Sequence, residues 1–189
     1  MAGKKEIPVG LDQLYYAVMT DEITETYSTP KRIFGAIQAT ITPSINSATL
    51  YADDIAYDTN SAMGDIAVAL NVAEIPTEDQ ATLLGHAIDD NGGLDQKSTD
   101  QGPYVAIGYR RRLANGKYRY TWLFKGRFTL GAEESNTKTD TPAYQTPTLN
   151  ATFISRSSDS RWKYTVNDGD TGVTPEFLAT FFSEVYIPN

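Results

Sequence analysis

Cysteine is absent, histidine occurs once, and acids outnumber bases 24 to 16 over 189 residues. Each shortage closes a class of chemistry. Without thiols there is no disulfide frame, no thiolate nucleophile and no cysteine-held zinc, a composition that suits a reducing cytoplasm or a protein indifferent to redox state. The lone histidine, His86, follows an expected helix stop and reads as a structural residue on a surface turn. No Ser stands in a G-x-S-x-G setting, and the phosphate-cradling patterns G-x-x-x-x-G-K-[ST] and G-x-G-x-x-G are missing. No catalytic constellation, cofactor or metal is expected. Long apolar runs are missing too: the longest candidate, residues 65–75, contains Asn71 and Glu74, short of the roughly 20 residues a membrane helix needs. Lys4 and Lys5 lead into Glu6, Pro8, Gly10 and Asp12, so no secretory signal is read. A net charge of −8 repels phosphate and makes the whole chain a poor ligand for nucleic acid or an anionic membrane.

What is present is enough to fold. Hydrophobic residues make up 40% and aromatics 11%, which lets burial offset ordering entropy. The length suits one domain over residues 1–189 that buries roughly 70% of its unfolded surface.

The charge is segregated. Residues 43–100 hold eleven carboxylates against Lys97 alone, a balance of −10, which leaves +2 for everything else; residues 103–130 hold seven bases and no acid. A molecule with opposite charge on two surfaces can bind copies of itself head to tail and build rings or filaments.

The patterning is mainly β with some helix. Residues 11–20 and 32–42 read as strands bounded by Gly10, Pro30 and Pro43, and residues 50–57 as a weaker one. Residues 104–130 read as a hairpin about Asn115-Gly116, taken as a two-residue type I′ turn. That turn sets Arg112 opposite Arg119, Tyr109 opposite Trp122 and Ile107 opposite Phe124. It puts Tyr109, Trp122 and Phe124 on a core face, and Arg110, Arg112, Lys117, Arg119, Lys125 and Arg127 on a cationic one. Like charges directly opposed cost stability, which suits either a solvated face or an acidic partner. A short helix is expected over about residues 77–84, with Pro76 before it, Glu78 and Asp79 in its first turn and Gly85 as its stop. Residues 174–189 fit a helix capped by Thr174 or a terminal strand. Residues 131–147 are polar and aperiodic, a loop long enough to suggest function. Asp89-Asp90-Asn91-Gly92-Gly93-Leu94-Asp95 misses the EF-hand spacing and reads as a plain turn. Tyr51-Ala52-Asp53-Asp54 has the paired aspartates of a two-metal site, but it lacks a further carboxylate on a neighbouring strand and a positive groove for a template.

The order of these features resembles the major tail proteins, or tail tube proteins, of long-tailed non-contractile bacteriophages. The resemblance rests on Val9-Gly10-Leu11-Asp12-Gln13-Leu14-Tyr15-Tyr16-Ala17, on Phe34-Gly35-Ala36-Ile37, and on Ala48-Thr49-Leu50-Tyr51-Ala52-Asp53-Asp54 with Tyr57 beyond. Leu83-Leu84-Gly85, Arg127 and Lys138-Thr139 complete it. It spans about residues 9–139 and thins beyond. It implies a β-sandwich or barrel flanked by one short helix, with an N-terminal arm (1–10) and long assembly loops (43–63 and 131–147) that order on stacking. It further implies six-membered rings stacked into a tube, which holds a tape-measure protein and then passes DNA. Tail terminator and distal tail proteins would meet the tube ends, in a virion assembled in the host cytoplasm.

On this reading Tyr51, Asp53, Asp54, Tyr57, Arg110, Arg112, Arg119, Lys125, Arg127 and Lys138 are candidates for subunit and ring interfaces. Asp58, Asp65, Asp89, Asp90 and Asp95 are candidates for the lumen. The alternatives are a tube component of a phage-derived secretion or bacteriocin particle, or a β-sandwich carbohydrate-binding module using Trp162, Tyr164 and Tyr144 as sugar platforms.

Overall fold

The structure, a computed structural model, describes residues 6–131, 137 and 144–188. In chain order the elements are β1 (Pro8–Asp21), β2 (Thr26–Tyr27), β3 (Lys31–Ile33), β4 (Ala36–Ala52), β5 (Ile55–Val72), α1 (Thr77–Leu84), β6 (Ala87–Ile88), β7 (Leu94–Asp95), β8 (Tyr104–Leu113), β9 (Tyr118–Thr129), β10 (Thr148–Ile154), β11 (Lys163–Asn167) and α2 (Pro175–Thr180). The fold is mainly β with short helices, as the patterning requires.

One antiparallel sheet dominates, in the order β2-β1-β8-β9-β10-β5-β4. β11 adds to β9 alongside β10, and β3 pairs with the outer edge of β1. Because β3 runs into β4 through Gly35, the chain ties one side of the sheet to the other, and the sheet curls around a core. That core holds Leu14, Tyr16, Ile33, Ile66, Leu70, Ile107, Tyr109, Leu123, Phe128 and Phe153, with Leu83 and Leu84 of α1 packed in. Alternation explains the choice on β5: Ile66, Val68, Leu70 and Val72 are buried while Ala67, Ala69 and Asn71 face out. At Gly126 a Cβ would meet the ring of Phe153, so only a missing side chain lets these strands close.

A second apolar cluster lies on the opposite face of β8 and β9. Tyr120, Trp122, Phe124 and Val166 are covered there by the C-terminal segment. Thr174 caps α2 by accepting from the Phe177 amide (3.3 Å). Phe181 accepts the Trp122 indole N–H at its carbonyl (3.1 Å), and Phe182 stacks on Tyr15 with ring centroids 4.6 Å apart. The C-terminal choice between helix and strand therefore resolves to a helix followed by turns.

Three expectations are corrected. First, the β8–β9 hairpin has a three-residue loop. The Leu113 amide donates to the Lys117 carbonyl (2.8 Å), the Gly116 amide donates to the Leu113 carbonyl (3.0 Å), and only Gly116 of this loop has positive φ (+82°). This is the turn-plus-bulge hairpin that a glycine in the left-handed region favours. The pairing moves by one, to Arg111↔Arg119, Arg112↔Tyr118, Tyr109↔Thr121 and Ile107↔Leu123. A one-residue slip exchanges faces, so Trp122 and Phe124 leave the face of Tyr109, and the expected single cationic face is divided. Second, residues 43–63 are not a loop but the distal part of the β4–β5 ribbon. Third, the expected N-terminal arm is anchored over residues 6–10: β1 begins at Pro8, and the Ile7 carbonyl accepts from the Ala114 amide (2.8 Å).

Candidate assembly surfaces

The ribbon is the most exposed element. β5 pairs with β10 only from Ile66 to Asn71, so beyond Pro43 and Ile66 the strands β4 and β5 have only each other. Asp53 and Asp54 close the ribbon with φ of +51° and +62°. Two positive-φ residues between directly paired Ala52 and Ile55 form the type I′ turn that was expected at Asn115-Gly116. Both aspartates are exposed, and neither has a partner among the described residues. The register sets Ile45 opposite Met63, Ser47 opposite Ser61 and Thr49 opposite Thr59, in line with the core face of β4. A bulge then falls between Leu50 and Tyr51, and near the tip Tyr51 and Tyr57 are 69% and 73% exposed. The 17 residues of β4 contain no charge, and among the described residues the outer edge of the strand is unpaired.

The opposite face of the same sheet has a different chemistry. The registers lay out three rows, Gln38–Asn71–Thr148, Thr40–Ala69–Asn150 and Thr42–Ala67–Thr152. They form a shallow surface of amides, hydroxyls and methyls. β4, β5 and β10 bring no base to it. Arg127 stands at its margin on β9, 4.2 Å from the ring centre of Tyr104 and 3.5 Å from the Gln101 side-chain oxygen. Of the acidic candidates, Asp65 is exposed beside this surface, and Asp58 lies further along the ribbon, accepting from the Thr59 amide (2.8 Å).

The remaining acidic candidates sit elsewhere, on the β6–β7 hairpin. Asp89 is occupied by its own turn, accepting from the Gly93 (2.6 Å) and Asn91 (3.0 Å) amides. These bonds hold its carboxyl below the usual range, the Gly93 amide foremost. Asp90 is exposed, and Asp95 pairs with Lys97 at 3.1 Å.

Most of the candidate bases have partners within the chain. Asp12 grips Arg110 through two bonds of 2.9 and 2.8 Å, and the guanidinium stacks 4.1 Å from the ring centre of Tyr118. Arg119 donates to Asn167 Oδ1 (2.6 Å) and lies 3.6 Å from Glu6. Arg112 is exposed opposite Tyr118 and without a partner among the described residues. Lys138 lies outside the described residues. Lys125, expected on the cationic hairpin face and as an interface candidate, is buried within the subunit: the bulge in β8–β9 pairing past Ile107 turns it against Glu25 at 2.8 Å.

That burial belongs to a network with no signature in the sequence. Glu25, in the turn after β1 at φ +50°, accepts from Lys125 Nζ (2.8 Å), Arg156 Nε (3.1 Å), the Ser157 amide (2.9 Å) and the Ser158 hydroxyl (2.5 Å). Burial alone would raise its pKa; the hydrogen bonds outweigh burial and hold the carboxyl far below the usual range. Its partners lie 100 and 131 positions away, and only charge reserved for the interior hints at it. Asp79 makes a similar tie, accepting from the Tyr16 hydroxyl (2.6 Å) and pairing with Lys31 (2.6 Å), which fixes α1 to β1 and β3. His86 is also buried, contrary to the expected surface position: its side chain is 2% exposed and its Nδ1 is 2.8 Å from Asp100.

The aromatic trio Trp162, Tyr164 and Tyr144 does not form a platform. Trp162 packs on the central core, and Tyr164 packs on the other side of the strand against Tyr186 (5.1 Å between centroids). Tyr144 is exposed. No helix among the described residues is long and apolar enough to cross a membrane.

Residues 14–183 match the model of the family described as phage tail tube protein. No curated protein matches the chain.

Proposed function

The chain belongs to the phage tail tube protein family, a structural component of a phage tail that assembles with itself and other tail proteins, and we propose that six copies close into rings which stack into the tail tube. The observation that carries this reading is β4. Soluble proteins blunt a long sheet edge with charges, bulges or covering segments, because bare backbone donors and acceptors recruit another strand. β4 offers 17 uncharged residues, with Pro43 as its main interruption. Such an edge is suited to continuing the sheet into a neighbouring copy.

In the ring so formed, the rows of Thr, Asn, Gln and Ala on β4, β5 and β10 line the lumen, with Asp58 and Asp65 as nearby acids and Arg127 of β9, paired with Thr152, as the base at the margin. A conduit for DNA must not hold it, since each neutralised phosphate adds affinity through counterion release. A face without bases on these strands meets that need, first around a tape-measure protein and then around the genome. Terminator and distal tail proteins cap the tube in the virion, which is assembled in the host cytoplasm. The role is structural, with no catalysis assigned to the chain. A bacteriocin or secretion tube would use the same subunit chemistry and differ in what the tube delivers.

Electron microscopy of the concentrated protein, alone and co-expressed with its tail partners, tests the reading. Stacked rings with six-fold end-on views are expected. A small monodisperse particle under all these conditions would overturn it.

A further inference from the structure

The registers assemble a cationic patch at the mouth of the curled sheet. Arg111 pairs with Arg119, Arg119 with Asn167, and Thr121 with Thr165; one row further along, Leu123 pairs with Lys163. Partners in register share a face, so Arg111, Arg119 and Lys163 rim the buried hydroxyls of Tyr109 and Thr121.

The patch is short of negative charge. Glu6, 3.6 Å from Arg119, is its one carboxylate partner among the described residues. Arg111 Nε and the Tyr109 hydroxyl are buried without hydrogen-bond partners. Lys163 rests 5.5 Å from the ring centre of Trp162. Its pKa is lowered by burial first and then by repulsion from Arg111 and Arg119, so the three cations feel one another. An arriving carboxylate pair would relieve that repulsion.

The same chain carries such a pair. Asp53 and Asp54 are held at the tip of a paired ribbon, exposed and touching no base among the described residues. On the β6–β7 hairpin, Asp89 is bonded within its turn and Asp95 to Lys97, which makes those two acids less available. We propose that the Asp53–Asp54 tip of one copy seats on the Arg111–Arg119–Lys163 patch of another. The contact is heterologous, tip to patch, and therefore propagates. It rests on the tube reading and names the residues that join successive subunits.

The absence of cysteine allows a direct test. The Asp54→Cys/Lys163→Cys double variant, oxidised after assembly, should give a ladder of covalent oligomers on a non-reducing gel, and neither single variant should exceed a dimer. Tubes that form normally yet give no ladder, or a monomer cross-linked to itself, overturn the proposal and leave the tube reading standing. If the wild-type chain forms no tubes even with the tail partners, both fall. A charge test runs beside it. Asp53→Asn/Asp54→Asn keeps residues that tolerate positive φ and should reduce polymer by about tenfold or more at low salt. Arg119→Glu/Lys163→Glu should do the same. Adding Asp53→Lys/Asp54→Lys to that patch variant should restore assembly; folded variants that all polymerise like the wild type would count against the contact.

Discussion

Glu25 concentrates much of the long-range order of this molecule in one side chain. It is 1% exposed and joins the turn after β1 to Lys125 on β9 and to the 156–158 turn. Replacing it with Gln leaves Lys125 and Arg156 buried beside a neutral amide. Breaking a buried pair from one side typically costs about 3–5 kcal/mol, so Glu25→Gln should lower unfolding stability by about that much in a urea titration at pH 7. The pH dependence has a definite sign. A carboxylate whose folded pKa is depressed stabilises above its unfolded value, about 4.3, and loses that contribution as pH falls toward the folded pKa. Wild-type stability should therefore drop steeply below about pH 4, and the variant should show a shallower drop. Equal slopes would mean that Glu25 is not the group responsible. Gly126 makes a second residue-scale case, because Gly126→Ala would drive a methyl into Phe153. Overpacking of this kind costs about 1–3 kcal/mol, measurable as a fall in the melting temperature.

Among the elements, the ribbon should be the least stable. A two-stranded hairpin without a packed face is marginal in water, and residues 45–63 make no other pairing among the described residues. In the free subunit their amides should exchange roughly 100-fold faster than those of residues 66–71, which β10 also pairs, and they should become protected in the tube. Equal protection in both states would show that the ribbon is stabilised without neighbours.

The same exposure explains why the ribbon was hard to read. Alternation marks a strand only where one face is buried. Ile66, Val68, Leu70 and Val72 alternate, whereas Ser44, Asn46, Ser47 and Ala48, exposed on both faces, do not. α1 was legible because Pro76, Glu78, Asp79, Leu83 and Gly85 are local signals that agree. The β8–β9 hairpin was legible as an element but not in register, since Asn115-Gly116 serves both two- and three-residue loops. Lys125 and Glu25 could not be matched, because charge pairing across 100 positions leaves no periodic trace. Among the interface candidates, the structure brings Asp53 and Asp54 to one exposed tip with Tyr51 and Tyr57 behind it, and it separates the bases that were expected to share a face.

At the scale of the whole molecule, charge is distributed by surface rather than by segment. Much of the acidic block lies on the ribbon, α1 and the β6–β7 hairpin, while β4, β5 and β10 present a face of neutral polar rows. If that face lines the lumen, its lack of bases matters more than any single acid. Thr40→Lys/Thr152→Lys would place two cations on exposed backbone positions, where substitutions ordinarily change stability by less than about 0.5 kcal/mol. Tubes should still form, because the change at Thr40 alters a side chain on the face of β4 and leaves the strand's edge backbone groups in place, Thr152 is on β10, and neither residue is at the ribbon tip. Repeated around every ring, however, the added lysines would bind phosphate along the whole channel, and DNA delivery should fall sharply at low salt and recover as salt rises. Infectivity unchanged at every ionic strength, in particles shown to contain the variant, would mean that this face lies outside the tube, and the assignment of the lumen would pass to another surface of the subunit.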